Sequence, residues 1–303
     1  MIDAIDSKIA GLMIQNCRLS LQEISDKVGI TRTAVKKRID RLIEVGAISS
    51  FNVRLSQAQA DAEMFIAILS FSKSPSIEEI VERFKDSEFI VQINKTFDNR
   101  YVIFGEYITP EELSELTNSF WALDYISDVD IHNKFIMDRG GKIELTSIHK
   151  RVLRSLLKDA RMSISEISAE SGLTPRRISK TIDELQESGA ILFTLRWRAN
   201  VAGETTIFMN IRIDSSKTDH EGAMKWLNEQ FSDKYLYAYI PATKPLILYS
   251  LNVSHFTEMD TIKEQILDSG LVKDIDPMLM FPGQKFPQFR TLLLERLLEK
   301  NGS

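Results

Sequence analysis

Cysteine is nearly absent: Cys17 stands alone among 303 residues. That excludes an intramolecular disulfide and any zinc site built on paired cysteines, and it fits a reducing compartment. No apolar run approaches the roughly 20 residues that a membrane-spanning helix needs. The opening MIDAIDSKIAGLMIQN carries early acids instead of the basic-then-apolar layout of a secretory leader. The expectation is a soluble, cytoplasmic protein with no membrane partner. Histidine is scarce and scattered. His132, His149, His220 and His255 lack metal-ligand spacing to a second histidine or cysteine; each reads as a surface residue, and no metal is expected. Phosphate-cradling loops of the GxxxxGK and GxGxxG types, the GxSxG nucleophile turn and the HExxH zinc motif are all missing. The chain therefore reads as a non-enzyme without a cofactor. Excess positive charge is missing too. A net charge of -5 argues against indiscriminate coating of nucleic acid, while leaving room for a local cationic surface.

What is present is a repeat. The segment from Ile5 to Ile48 lies over the segment from Ile148 to Ile191 at a constant offset of 143, without a gap. Roughly 16 of the 44 positions are identical, far above the one in about 15 to 20 expected of unrelated sequences, which marks a duplication. Each copy reads as three helices. In the first, Ile5, Ile9, Leu12 and Met13 recur at helical spacing. Ser20, with Glu23 three residues on, starts a second helix in a capping-box pattern, and Gly29 ends it. Thr31 caps a third helix with Val35, Ile39 and Leu42 on its apolar face, and Gly46 stops it. The second copy has Ser163, Glu166, Gly172, Thr174 and Gly189 in these places, with Pro175 at the first helical position. An extended segment follows each copy, Ile48 to Leu55 and Ile191 to Val201, readable as a wing or a linker strand.

The stretches after the copies resemble each other in pattern. The first gives a strand at Met64 to Phe71, a helix at Ser76 to Phe84, and strands at Phe89 to Phe97 and Tyr101 to Ile108 around an Asp98-Asn99 turn. A helix from Thr109 and a strand at Ile126 to Ile136 complete it. The second repeats the order with strands at Thr206 to Ile213, Tyr235 to Ile240, Leu246 to Val253 and Leu271 to Met280, and helices around Gly222 to Phe231 and His255 to Leu267. This is β-α-β-β-α-β twice, the ferredoxin-like order. The fold class is α+β: two winged helix-turn-helix domains (1–57 and 141–202) alternating with two ferredoxin-like domains (58–140 and 203–282). Beyond Pro282-Gly283 a C-terminal helix (283–303) is expected to dock on a partner surface. Arg139-Gly140-Gly141-Lys142, where both periodicities break, reads as the central boundary.

In a helix-turn-helix the helix after the turn lies in the major groove of duplex DNA, and its first residues reach base edges. Here that helix is Thr31 to Arg41, with five basic residues beside one acid. The inward Val35, Ile39 and Leu42 push Arg32, Thr33, Lys36 and Lys37 outward, with Arg38 and Arg41 nearer the flank. Arginine reads guanine bidentately and lysine neutralises phosphate as a point charge. Arg32, Thr33 and Lys36 are the candidates for base edges; Lys37, Arg38 and Arg41 are those for phosphates. The second copy offers Arg176, Arg177, Ser179 and Lys180, followed by Asp183, Glu184 and Glu187, acids that repel phosphate wherever they face it. Arg196-Trp197-Arg198 restores positive charge and reads as a wing touching the DNA backbone.

The run Ile5, Arg18-Leu19-Ser20, Glu23-Ile24-Ser25, Val28-Gly29-Ile30-Thr31, Val35, Arg38-Ile39, Leu42 and Gly46-Ala47-Ile48 resembles the N-terminal module of the Lrp/AsnC (feast/famine) regulators. In that family a helix-turn-helix is joined by a strand to a β-α-β-β-α-β effector and oligomerisation domain. The chain looks like two such proteins fused in tandem. The resemblance implies a sequence-specific transcription regulator responsive to a small-molecule effector. It also implies that the two halves pair within one chain as a pseudo-dimer open to further homo-oligomerisation, and unequal recognition helices would suit an asymmetric DNA site. Amino-acid sensors of the family carry a glycine-containing loop before an aspartate between the central strands. Here Lys95-Thr96-Phe97-Asp98-Asn99 keeps the aspartate without the glycine, and Ala242-Thr243-Lys244-Pro245 keeps neither. Asp98 is thus an effector candidate that reads first as a turn residue. Two other readings of the chain stay open. Sirohaem decarboxylases are similar in fold and pair two related halves around a tetrapyrrole, and a chromatin-like architectural protein would bind DNA with little sequence preference.

Overall fold

The computed structural model describes residues 2–198, 205–253, 255 and 257–299. The expected end of the second extended segment at Val201, the boundary expected between 202 and 203, and the last residues of the C-terminal domain lie outside them. The chain opens with α1 (Ala4–Gln15), α2 (Leu21–Val28), α3 (Arg32–Glu44), β1 (Ile48–Leu55) and the short α4 (Gln57–Ala60). A first βαββαβ motif follows: β2 (Glu63–Phe71), α5 (Ile77–Phe84), β3 (Ile90–Lys95), β4 (Arg100–Tyr107), α6 (Pro110–Trp121) and β5 (Ile126–Asn133). The opening is repeated by α7 (Ser147–Leu156), α8 (Ile164–Ser171), α9 (Pro175–Glu187) and β6 (Ile191–Trp197). The second motif is β7 (Thr205–Ile213), α10 (His220–Phe231), β8 (Tyr235–Tyr239), β9 (Leu246–Val253), α11 (Glu258–Asp268) and β10 (Val272–Met280), with β11 (Gln284–Lys285) and α12 (Phe289–Glu299) after it. Two compact units result. One gathers both trihelical modules, their strands, α4 and α12 from Arg290 on; the other gathers both βαββαβ motifs.

In the first unit, local chemistry sets the helix ends. Ser20 Oγ accepts the Glu23 N–H at 3.2 Å while the Glu23 carboxylate accepts the Ser20 N–H at 2.7 Å, and Ser163 with Glu166 repeats the arrangement. Gly29 and Gly172 close their helices at φ 73° and 64°, a conformation that costs glycine nothing. Val35, Ile39 and Leu42 pack with Ile9, Met13 and Ile24 in one core, and Ile178, Ile182 and Leu185 pack with Val152, Leu153, Leu156 and Ile167 in the other.

The extended segments do not form wings on their own modules. β1 pairs antiparallel with β6, from Leu55 opposite Ile191 to Ile48 opposite Trp197. Each module thereby takes the other's strand into its core. Leu195 and Trp197 of β6 join the first core, and Val53 and Leu55 of β1 join the second. The reason is hydrophobic: alternate apolar residues on a lone two-faced strand need a surface, and the opposite module supplies it. Two reciprocal bonds seal the joint. Arg18 Nη1 donates to the Ala160 carbonyl at 2.6 Å, and its counterpart Arg161 Nη1 donates to the Cys17 carbonyl at 2.7 Å. These pairs exchange under the offset of 143, the signature of a two-fold-related interface.

One further expectation changes here, and the turn read as the central boundary, where the chain passes between the units at Asp138 and Arg139, proves to be packed as well. Gly140-Gly141 is a close-packed joint: a Cβ on Gly141 would meet the Ser188 carbonyl oxygen at 1.8 Å, and Ser56 Oγ donates to the Gly141 carbonyl at 2.7 Å. The C-terminal helix docks within the chain instead of on a partner. Leu294 and Leu298 are buried in the second module's core, and Arg290 Nη1 donates to the Leu55 carbonyl at 2.9 Å.

In the second unit the strand orders are β3-β4-β2-β5, with β11 added beside β3, and β10-β7-β9-β8. Both are the ferredoxin-like arrangement. Period-two alternation splits each central strand. Phe65, Ala67 and Leu69 face their own helices, whereas Ile66 and Ile68 meet Phe208, Leu248 and Met278 of the other sheet. The sheets also touch along both edges, Thr96 with Met280 and Phe135 with Pro241. Edge contacts of this kind shield the backbone that open sheets leave unpaired.

Candidate nucleic-acid interface

The interface is built on α3. Thr31 caps it, its Oγ1 accepting the Ala34 N–H at 3.2 Å, and burial of Val35, Ile39 and Leu42 fixes its rotation. Arg32, Thr33, Lys36 and Lys37 are all exposed. Lys36 forms a 2.7 Å pair with Asp40, and both side chains are more than half exposed; such a pair is worth little in water and opens readily to another acceptor.

Arg38 and Arg41 are placed differently from the rest. Arg38 Nη1 bonds Asp3 at 2.7 Å and Asp6 at 2.8 Å, and Arg41 Nη2 bonds the other Asp6 oxygen. Asp6 is fully buried. Asp3 and Asp6 are also the N-cap and third residue of α1, each accepting the other's N–H at 3.0 Å. One pair of carboxylates thus caps α1 and holds two arginines of α3. Burial pushes the Asp3 carboxyl up, but the Arg38 hydrogen bond and the Asp6 N–H outweigh it and leave it below the usual range. Sequence reading missed both aspartates; their spacing of three, at a helix start, was the available signal.

In the second module Arg176 and Lys180 are exposed, and Arg177 and Ser179 are half-buried on α9. Lys180 lies 3.6 Å from Glu184. Thr146 and His149 occupy the α7 cap positions equivalent to Asp3 and Asp6. The His149 ring accepts the Thr146 N–H through Nδ1 at 3.2 Å, and its Nε2 lies 3.2 Å from Glu184. That hydrogen bond holds the Glu184 carboxyl below its ordinary value. His149 is buried, and so is His132, against the expectation of surface histidines. Arg196 and Arg198 lie at the end of the β1–β6 ladder, not on a wing hairpin: Ser49 Oγ donates to the Arg196 carbonyl at 3.3 Å, and the Arg198 N–H donates to Ala47 at 2.9 Å. The structure brings them beside the end of α3, far along the ladder from α9.

The second unit holds a polar cavity of about 590 Å³ between its sheets, lined in part by Arg100, Asp130, His132, Arg212, Lys244 and Asp276. Lys244 bonds Asp130 at 2.9 Å, and His132 Nε2 lies 3.1 Å from the same carboxylate. The His132 contact, then the lysine, hold Asp130 well below the usual carboxylate range despite burial. Arg100 bonds Asp276 at 2.9 Å and Asp98 at 2.9 Å. Asp98 itself sits in the β3–β4 turn, where Thr96 Oγ1 also donates to it at 2.5 Å. Among the described residues that line the cavity, Arg100 is the one it bonds.

Comparison with known proteins adds to this geometry. A family model described as an AsnC-type helix-turn-helix domain matches residues 2–43, and one described as winged helix-turn-helix DNA-binding matches residues 145–191. An uncharacterized HTH-type transcriptional regulator of Pyrococcus furiosus is 26% identical over 135 residues, covering 43% of this chain and 89% of its own length. The HTH-type transcriptional regulator LrpA of Pyrococcus horikoshii is 25% identical over 159 residues, 52% of this chain and 100% of its own. A whole relative thus spans half of this chain. The crystal structure of the siroheme decarboxylase NirDL aligns over 98% of this chain and 99% of its own with a TM-score of 0.57 at 12% identity, a likeness of fold.

Proposed function

We propose that this chain, a tandem duplication of the Lrp/AsnC (feast/famine) regulator architecture, is a sequence-specific DNA-binding transcription regulator of the cytoplasm. The observation that carries the reading is the α3 surface: Arg32, Thr33, Lys36 and Lys37 stand exposed on a capped helix whose opposite face is locked into a core. Arg32, Thr33 and Lys36 meet base edges in this reading, and Lys37 with the buttressed Arg38 and Arg41 meets phosphates. The cavity of the second unit, of ligand size and lined by both signs of charge, is the place where a small charged effector would act.

Salt dependence of duplex binding, read by fluorescence anisotropy, tests the proposal. Each neutralised phosphate contributes about 0.9 to the slope of log K against log salt. Replacing Lys36 and Lys37 by alanine should weaken binding to all duplexes and flatten that slope by roughly one to two. An unchanged slope overturns this docking. Genome-wide mapping of bound sites then separates a focused regulator from a coating, chromatin-like protein. The tetrapyrrole reading rests on fold alone; a Soret band in purified protein that ignores DNA would favour it.

A further inference from the structure

The two recognition helices are not electrostatic equals. α3 carries Arg32, Lys36, Lys37, Arg38 and Arg41 against Asp40 and Glu44, a formal balance of +3. α9 carries Arg176, Arg177 and Lys180 against Asp183, Glu184 and Glu187, a balance of zero. Under the offset of 143 the counterparts of Lys36, Arg38 and Arg41 are Ser179, Thr181 and Glu184.

The difference reaches into the buried support of each helix. In the first module, two carboxylates of the α1 cap, Asp3 and Asp6, reach across to Arg38 and Arg41. In the second, the same two cap positions hold Thr146 and His149, neither of them a carboxylate, and His149 lies 3.2 Å from Glu184. Donor and acceptor have changed places: an acid on the cap supporting a cation on the recognition helix has become an imidazole supporting an acid. Thr181, where Arg38 stands in the first module, is fully buried. The change is therefore built into the packing, and Glu184 is held as an anion.

We propose that the chain grips DNA through the first helix-turn-helix, and that the inverted pair His149–Glu184 disables the second as a phosphate-binding surface. The proposal rests on the DNA-binding reading above. The second module keeps a mechanical purpose: it lends Leu195 and Trp197 to the first module's core and receives Val53 and Leu55 in exchange. The DNA site that fits is one-sided, a single half-site with no palindromic partner.

The test uses the full chain and a random-sequence duplex of about three helical turns, titrated across potassium chloride concentrations. Losing Lys36 and Lys37 should lower affinity at least tenfold more than losing Arg176 and Lys180. Restoring the first module's pair in the second, His149→Asp with Glu184→Arg, should raise affinity severalfold and steepen the salt slope by about 0.9, one added phosphate contact. Should that double variant fail to fold, Glu184→Gln keeps an acceptor for His149 while removing the charge, and it should bind about twofold to threefold tighter. Equal losses from the two modules, or a Glu184→Gln protein that binds no better, overturn the inference while leaving DNA binding intact. An unaltered chain that binds no duplex at all overturns the DNA-binding reading itself.

Discussion

At the scale of single residues, Asp6 does the most. Its carboxylate is fully buried, caps α1, and accepts Arg38 and Arg41 of α3. Replacing it with asparagine keeps the shape and the cap acceptor but takes the buried counter-charge from Arg41 and leaves Arg38 with Asp3 alone. Because both arginines are partly exposed, the loss is smaller than for a fully buried pair, about 2 kcal/mol. Urea unfolding of Asp6→Asn should report it, and the same variant should bind duplex DNA more weakly, since Arg38 and Arg41 lose the anchor that aims them. A protein of unchanged midpoint would show that the pair is ornamental. His132 and His149 teach a related lesson. Histidine spacing along the chain carries no information about burial when the partner, Glu184 for His149, comes from a helix two elements later.

At the scale of elements, the local signals were legible and the distant ones were not. Capping boxes at Ser20 and Ser163, αL glycines at Gly29 and Gly172, and the apolar stripe of α3 all depend on residues within four positions of one another, and a linear reading finds them. The exchange of β1 and β6 depends on partners about 140 residues apart, and nothing in the alternation of Ile48–Leu55 names the strand it will meet. Likewise the exposed, cationic part of the candidate site was readable from helical periodicity, whereas its buried carboxylate support was not. Gly140-Gly141 shows how the same dipeptide serves opposite ends. Read alone it is a break; in the fold it lets one backbone approach another. Gly140 has φ 74°, and a methyl on Gly141 would strike the Ser188 carbonyl. Backbone cannot step aside as a side chain can, so Gly141→Ala should cost roughly 3 kcal/mol and lower the melting temperature by several degrees. Gly11, where a methyl would meet nothing within 4 Å, provides the control: Gly11→Ala in the middle of α1 should be neutral or stabilising by up to about 1 kcal/mol.

At the scale of the whole molecule, fusion changes what controls assembly. A two-fold regulator made of separate chains must find its partner, so its folded population depends on protein concentration. Here the reciprocal bonds from Arg18 and Arg161 and the β1–β6 ladder form inside one chain, where the partner segment is always present at high effective concentration. Fusion also releases the halves from having to be identical. A mutation in a separate-chain dimer appears twice, whereas here α3 and α9 have diverged to formal balances of +3 and zero while the joint between their modules kept its reciprocity. The joint is what must stay symmetric, because both cores depend on the exchanged strands; the recognition surfaces need not. It follows that the melting temperature should stay within about 1 °C over a hundredfold dilution, and that titration of a duplex should give a simple hyperbola whose midpoint does not drift as the protein is diluted. A melting temperature that falls steadily with dilution would mean that the folded state needs a second copy, and that the intrachain exchange is not sufficient to hold the first unit together.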